Sequence, residues 1–344
     1  MNRNRWIGVF LFFAIMMVLI NQLQPVRTYI SEVKRSHVQL AFQRLFEPVS
    51  SGQVIEPSEN LSMDDSQLMQ RIQEEAKKRY VAPTNARVDR VWKLVPSYNG
   101  VEVDEVQTYR LAKNKGTLDE STFVYRELSP KINMDDLGSH PIYRGNPQKP
   151  MVSLMINVAW GNEFLNSMLN TLRQENVKAT FFFDGTWLNK NLDVAARIRE
   201  EGHELSNHAY THKNMSTLSR DRATQEIVRT QELLTSKLGV TNRLFAPPSG
   251  DFDQETVDIA MSMKMRTILW TLDTIDWKNP GRDAILSKIS ARIEAGSLIL
   301  MHPTISSSQA LPGMIRIIKE RGLAIGTVSE LISPKRVPDL TKVK

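Results

Sequence analysis

A chain of 344 residues is longer than one ordinary domain, and an apolar fraction of 41% supplies a sizeable core. The absence of cysteine excludes disulfides, thiolate metal sites and a cysteine nucleophile, and leaves the redox compartment open. A net charge of +6 suits an anionic surface such as phospholipid or cell wall; without a dense Lys/Arg cluster interleaved with aromatics, nucleic acid is not an expected partner.

At the N-terminus, Met1-Asn2-Arg3-Asn4-Arg5 precedes an unbroken apolar run from Trp6 to Ile20. The run is short for a full span and has the length of a signal h-region, yet no small-x-small cleavage site follows. Residues 1–21 are therefore read as a retained signal anchor, a membrane partner in its own right. Arg3 and Arg5 hold the N-terminus in the cytoplasm and place the main domain outside; secretion after cleavage is the alternative. Residues 22–61 read as a stalk broken by Pro48 and Pro57. An amphipathic helix is expected from Asp64 to Tyr80, with Leu68, Ile72 and Ala76 as its stripe, Glu74/Lys78 and Glu75/Arg79 as supporting pairs, and Pro83 as its stop. Strands are expected between Val91 and Tyr109 around an Asn99-Gly100 hairpin turn, completing a small α+β module over 62–128. Residues 129–150, with prolines at 130, 141, 147 and 150, read as a linker; Asp135, Asp136 and His140 within it are taken as solvated loop residues.

From Met151 the pattern changes. Strands are expected at Val152–Val158, Ala179–Phe183, Glu204–Asn207, Leu244–Ala246, Thr267–Leu272, Ser297–Met301 and Ala324–Thr327, with helices at 163–175, 190–201, 219–238, 253–263, 282–294 and 309–321 between them. Alternation at this spacing implies parallel strands with helices outside, an α/β fold of about seven units closed into a distorted (β/α) barrel over 151–332, with a basic tail at 333–344. Reacting groups in such barrels gather at the C-terminal ends of strands.

The stretch Gly202-His203-Glu204-Leu205-Ser206-Asn207-His208-Ala209-Tyr210-Thr211-His212 holds three of the six histidines. His208 and His212 stand four apart, close enough on a helical turn to share a cation; a merely hydrogen-bonded pair is the competing reading. Other strand ends carry Asn157-Val158, Ala246-Pro247-Pro248-Ser249-Gly250, Asp273, Asp276-Trp277 and His302. Apolar strands alone give no reason for such an ordered set of His and Asp.

Over residues 148–332 this order resembles the polysaccharide deacetylase family, the NodB-homology domain of carbohydrate esterase family 4. The carrying stretches are Lys178-Ala179-Thr180-Phe181-Phe182, Gly202–His208, Trp270–Trp277 and Leu298-Ile299-Leu300-Met301-His302. The resemblance implies hydrolysis of the N-acetyl group of a glycan amino sugar, such as cell-wall peptidoglycan, with a divalent, zinc-like metal. It places metal ligation at His208 and His212, the general acid at His302, its orienting carboxylate at Asp276, and substrate contacts at Trp277, Pro248 and Asp273.

The departures are as informative. Where the family has its first-motif aspartates, this chain has Asn157 and Val158, an amide that cannot accept a proton near neutral pH and a side chain with no ligand atom. Ala246 stands where the family has an arginine. The stretch Asn157-Val158-Ala159-Trp160-Gly161-Asn162-Glu163 resembles a sporulation-associated branch in which the second aspartate is commonly absent. Three readings follow: a deacetylase in which Glu163 or Asp184 supplies the carboxylate, a non-catalytic glycan-binding protein with weak or absent metal, and a membrane scaffold acting through residues 27–130.

Overall fold

The structure, a computed structural model, describes residues 64–337. The expected anchor and stalk, and the tail beyond 337, lie outside the described residues. No helix among the described residues is long and apolar enough to cross a membrane.

Helix α1 (Asp65–Arg79) forms where the apolar stripe places it, with Leu68 and Ile72 buried and Lys77, Lys78 and Arg79 in its last turn complementing the helix dipole. It packs on Ala112 of α2 (Glu105–Lys115). Helix α2 replaces the strand expected to run to Tyr109. Asp104 caps it by accepting from Gln107 N, and Gly116 ends it in the left-handed conformation. Nor is Asn99-Gly100 a hairpin turn. Strand β1 (Arg87–Asp89) pairs antiparallel with β2 (Lys93–Val95), and β3 (Gly100–Val103) pairs antiparallel with β4 (Tyr125–Leu128). A Cβ on Gly100 would stand 2.4 Å from Val81 O and 2.6 Å from Pro83 N, so the glycine admits a close backbone crossing.

Strand β5 (Met151–Val158) is buried along its whole length, as a parallel strand covered on both faces must be. Val152, Leu154, Ile156 and Val158 join the apolar layer containing Leu165, Met168, Leu169 and Leu172 of α3 (Asn162–Gln174). Met151 and Met155 point to the opposite side, into a second core with Phe182, Leu244, Ala246, Ile268 and Leu298. After α3 come β6 (Thr180–Phe183), α4 (Gly185–Lys190), α5 (Leu192–Glu200), β7 (Glu204–Asn207) and α6 (Arg220–Glu232). Next are β8 (Leu244–Phe245), α7 (Gln254–Ser262), β9 (Arg266–Thr267), β10 (Leu272–Asp273) and α8 (Arg282–Arg292). The last described elements are β11 (Leu298–Met301), α9 (Ile305–Glu320), β12 (Ala324–Gly326) and α10 (Val328–Ile332). Hydrogen bonding orders the strands β10-β11-β5-β6-β7-β8-β9, with β12 also beside β5. All these pairings are parallel, giving a curled sheet with helices outside, the distorted (β/α) barrel.

The single strand expected over Thr267–Leu272 is two strands, on opposite edges of this sheet. Between them the chain crosses the seam of the barrel, and there it meets the stretch expected as a linker. Ile142, fully buried, donates its N–H to Thr267 O at 2.9 Å and accepts from Leu269 N at 2.8 Å. Tyr143 O accepts from Thr271 Oγ1 at 2.7 Å. Residues 64–337 belong to one compact unit. Its C-terminal end returns to the N-terminal module, where Asn99 N donates to Pro334 O at 2.8 Å and Arg336 donates to Asn99 O at 2.9 Å, and to the segment ahead of β5, where Lys149 Nζ donates to Ser333 O at 2.8 Å.

Candidate functional site

At the C-terminal ends of the strands lies a cavity of about 430 Å³ lined by Asn157, Trp160, His208, His212, Ser249, Trp270, Asp273, Trp277, Leu300 and His302. A larger cleft of about 500 Å³ between Glu175, Arg282 and Arg316 is a surface groove on the helical layer without histidine or aromatic groups. Six of the residues expected at a site thus converge: Asn157, His208, His212, Asp273, Trp277 and His302. Asp276 lies directly behind His302. Pro248 is buried while its neighbour Ser249 lines the cavity, and Val158 is buried in the apolar layer. Trp160, Trp270, Ser249 and Leu300 complete the wall.

His208 and His212 do not share a helical turn. They sit on the loop after β7, their ring centroids 5.1 Å apart and their planes at 76°. Ala209 and His212 adopt φ of 58° and 53°, left-handed values that an L residue holds only when its surroundings enforce them. The enforcing residues are buried polar groups on α6. The Glu226 carboxylate accepts from Tyr210 N at 2.9 Å, Thr211 N at 2.7 Å and Thr211 Oγ1 at 2.7 Å, and Thr230 Oγ1 donates to Ala209 O at 2.7 Å. Asn207 adds a bond from its Oδ1 to Ala209 N at 2.9 Å. The sequence reading missed Glu226 and Thr230. Their signal is polar side chains at i and i+4 on the stripe of α6 that also buries Ala223 and Ile227.

His208 Nδ1–H donates to Ala246 O at 2.7 Å, which fixes the neutral tautomer with its lone pair on Nε2. Burial pushes the ring's pKa down to about 3. Nε2 faces Asn157 Nδ2 at 3.4 Å, so the amide donates there and its Oδ1 is left buried without a partner. The donor set does not fit a resident divalent ion. The His208 imidazole faces an amide N–H, His212 stands beside it, Val158 brings no lone pair, and among the described residues no group of three His, Asp or Glu could hold a metal. Neither rescuing carboxylate lines the cavity. Glu163 is exposed on the first turn of α3, and Asp184 caps α4, accepting from Trp187 N at 2.9 Å. Burial raises the Asp184 pKa. Farther off, Asp135 pairs with Arg266 and Asp136 accepts from Asn133 N at 2.8 Å; neither they nor His140 touch the cavity.

Across the cavity the acid–imidazole pair is intact. Asp276, fully buried, accepts from His302 Nδ1 at 2.8 Å, from His302 N at 2.6 Å and from Ser307 Oγ. Trp160 stacks on the His302 ring, with centroids 5.4 Å apart and planes within 13°. Gly161 makes this approach possible, because a Cβ there would stand 2.0 Å from Pro303 O. Ile275, a β-branched residue at φ 55°, carries the chain from Asp273 to Asp276 in a conformation that costs of order 1–3 kcal/mol.

His203, in the motif that leads into this loop, accepts from Ala179 N at 3.2 Å, and burial lowers its pKa to about 4. The folded state therefore holds it neutral while the unfolded chain protonates it near its ordinary value. Stability from this group is complete above pH about 6.5 and is lost as pH falls toward about 4, reaching about 2 kcal/mol by pH 5. Urea titrations across that window should show the loss, and His203→Gln should flatten it; an unchanged slope in the variant would rule His203 out as the source.

A family model described as polysaccharide deacetylase matches residues 144–268. The uncharacterized protein YlxY of Bacillus subtilis (strain 168) is 42% identical over 270 residues, 78% of this chain and 85% of its own length. The peptidoglycan-N-acetylglucosamine deacetylase of Bacillus cereus is 30% identical over 199 residues, 56% of this chain and 72% of its own. Among solved structures, BA3943, a CE4 family pseudoenzyme from Bacillus anthracis, superposes with a TM-score of 0.74 at 44% identity, covering 78% of this chain and 96% of that one. A BA3943 mutant with restored enzymatic activity matches with the same TM-score at 43% identity, over 78% of this chain and 99% of that one.

Proposed function

We propose, for a chain that belongs to the polysaccharide deacetylase family (carbohydrate esterase family 4), that it binds amino-sugar glycan of the cell wall in its strand-end groove without hydrolysing it. The carrying observation is the Asn157 amide, which stands at the position of the family's base and points its N–H at His208 Nε2. An amide cannot take the proton of an attacking water, and loss of a general base alone forfeits roughly 10²–10⁴ in rate. The naming of BA3943 as a CE4 pseudoenzyme supports the same reading, and the B. cereus deacetylase supports peptidoglycan as the ligand class. The apolar run Trp6–Ile20 would hold the protein at the outer face of the cell membrane. The resemblance of Asn157–Glu163 to the sporulation-associated branch suggests spore formation as the setting.

Acetate release from N-acetylated peptidoglycan by residues 64–344 should stay at background, while oligosaccharide binding should be measurable by calorimetry. Trp277, 52% exposed at the rim, should carry much of that binding, so Trp277→Ala should weaken it by about tenfold. Robust acetate release by the unmodified protein would refute the non-catalytic reading. Failure to bind any cell-wall glycan would refute the groove.

A further inference from the structure

We infer that the end of the barrel opposite the cavity carries a second binding site, a cationic groove for a base-free phosphodiester polymer such as poly(glycerol phosphate). It uses none of the residues that line the strand-end cavity, so it stands or falls apart from the glycan reading. Two recesses of about 470 and 210 Å³ lie at the N-terminal ends of β7, β8 and β9. They adjoin at Arg243 and Ser329, which line both.

Positive charge is concentrated there. Arg199, Arg243, Lys264 and Arg266 line the joined groove against two carboxylates, Asp135 and Glu204, which leaves an excess of two positive charges. Both carboxylates are engaged within the fold. Asp135 pairs with Arg266, and Glu204 Oε2 accepts from Thr180 Oγ1 at 2.7 Å and from Ser329 N at 3.2 Å. Arg243 and Lys264 are exposed, and neither side chain has a hydrogen-bond or ion-pair partner among the described residues. The backbone holds these cations close: Arg266 N donates to Arg243 O at 2.8 Å, which makes the two arginines neighbours on adjacent strands, where like charges repel. Lys264 follows α7 at φ 61°, a left-handed position that glycine or asparagine fills at lower cost. An anion seated among the cations relieves their repulsion.

The walls select among anions. No Phe, Tyr or Trp lines either recess, so the bases of a nucleic acid would find nothing to stack on. Half-buried Met134 and Met261 give an apolar flank for the carbon links between phosphates. A small anion meets only one or two of the cations, whereas a flexible chain of repeating phosphates follows the groove and meets them in succession, so that its affinity builds along the chain. The overall charge of +6 favours the approach of such a polyanion.

Fluorescence anisotropy of labelled poly(glycerol phosphate) titrated with residues 64–344 tests the inference. Binding should saturate and should weaken by about tenfold between about 50 and 200 mM salt. It should also weaken at least about tenfold when Arg243→Glu and Lys264→Glu are combined, while the Tm and the chitotetraose affinity of that variant stay those of the parent. An oligothymidylate of equal charge should bind no more tightly than the polymer. Absence of saturable polymer binding would overturn the site, and polymer binding unchanged in the double variant would place it elsewhere and overturn it too. Tighter binding of the oligothymidylate would make the groove a nucleic-acid surface. Capture on phosphatidylglycerol vesicles without binding of the free polymer would make it a membrane surface; either result refutes the inference.

Discussion

Acetate release from N-acetylated glycan is expected to rise by at least about a hundredfold, and to depend on added zinc, when Asn157 and Val158 are both exchanged for aspartate. The rest of the site is assembled for such a change. His208 is held in the tautomer that turns the Nε2 lone pair toward position 157, where exchange of the amide releases it to ligate, His212 lies beside it, and the Asp276–His302 pair is formed across the cavity. The same exchange carries a stability signature. Val158 is fully buried in the apolar layer, so a carboxylate there without a cation should cost several kcal/mol. The variant should therefore melt below the parent in chelator and recover with zinc, because a ligand that binds only the folded state stabilises it by mass action. Stoichiometric zinc without any gain in acetate release would show that the defect lies elsewhere than in these two positions.

Asp276→Ala is expected to destabilise the protein by about 3–5 kcal/mol, lowering Tm by roughly 10 °C. The fully buried carboxylate ties the loop after β10 to His302 beyond β11 and to Ser307 on α9, and its removal leaves three buried donors unpaired. This bears on why a site without its base keeps its acid–imidazole pair. Retention of Asp276 and His302 is not by itself a sign of catalysis, because the carboxylate also holds three segments of the barrel together, and that role persists without turnover. A variant that melts within a degree or two of the parent would return Asp276 to a purely catalytic account.

The barrel was legible because β5, β6 and β11 are buried, mostly apolar runs separated by helical periodicity, and the site because its residues stand where those runs end. What escaped the sequence has local physical causes. The HxxxH spacing suits a helix, yet Glu226 and Thr230, distant in sequence, hold both histidines on a left-handed loop. Asn99-Gly100 has turn chemistry, but Gly100 is there to let one backbone pass another. The run Thr267–Leu272 has strand composition, and only the sheet order shows that it divides between two edges. Asn157 was recognisable as a lost base; its unpaired oxygen was not, since that follows from how His208 is bonded.

The seam where Ile142 lies against Thr267 and Leu269 has a practical consequence for anyone isolating the catalytic-type barrel. A fragment started at Met151 would lack the segment that covers β9, leaving backbone donors and acceptors of an edge strand bare beside uncovered Ile268. Such an edge recruits other strands, and the expected outcome is precipitation or intermolecular sheet pairing rather than a soluble half. A self-sufficient piece must therefore begin ahead of Ile142, whose segment acts as a stopper for the barrel.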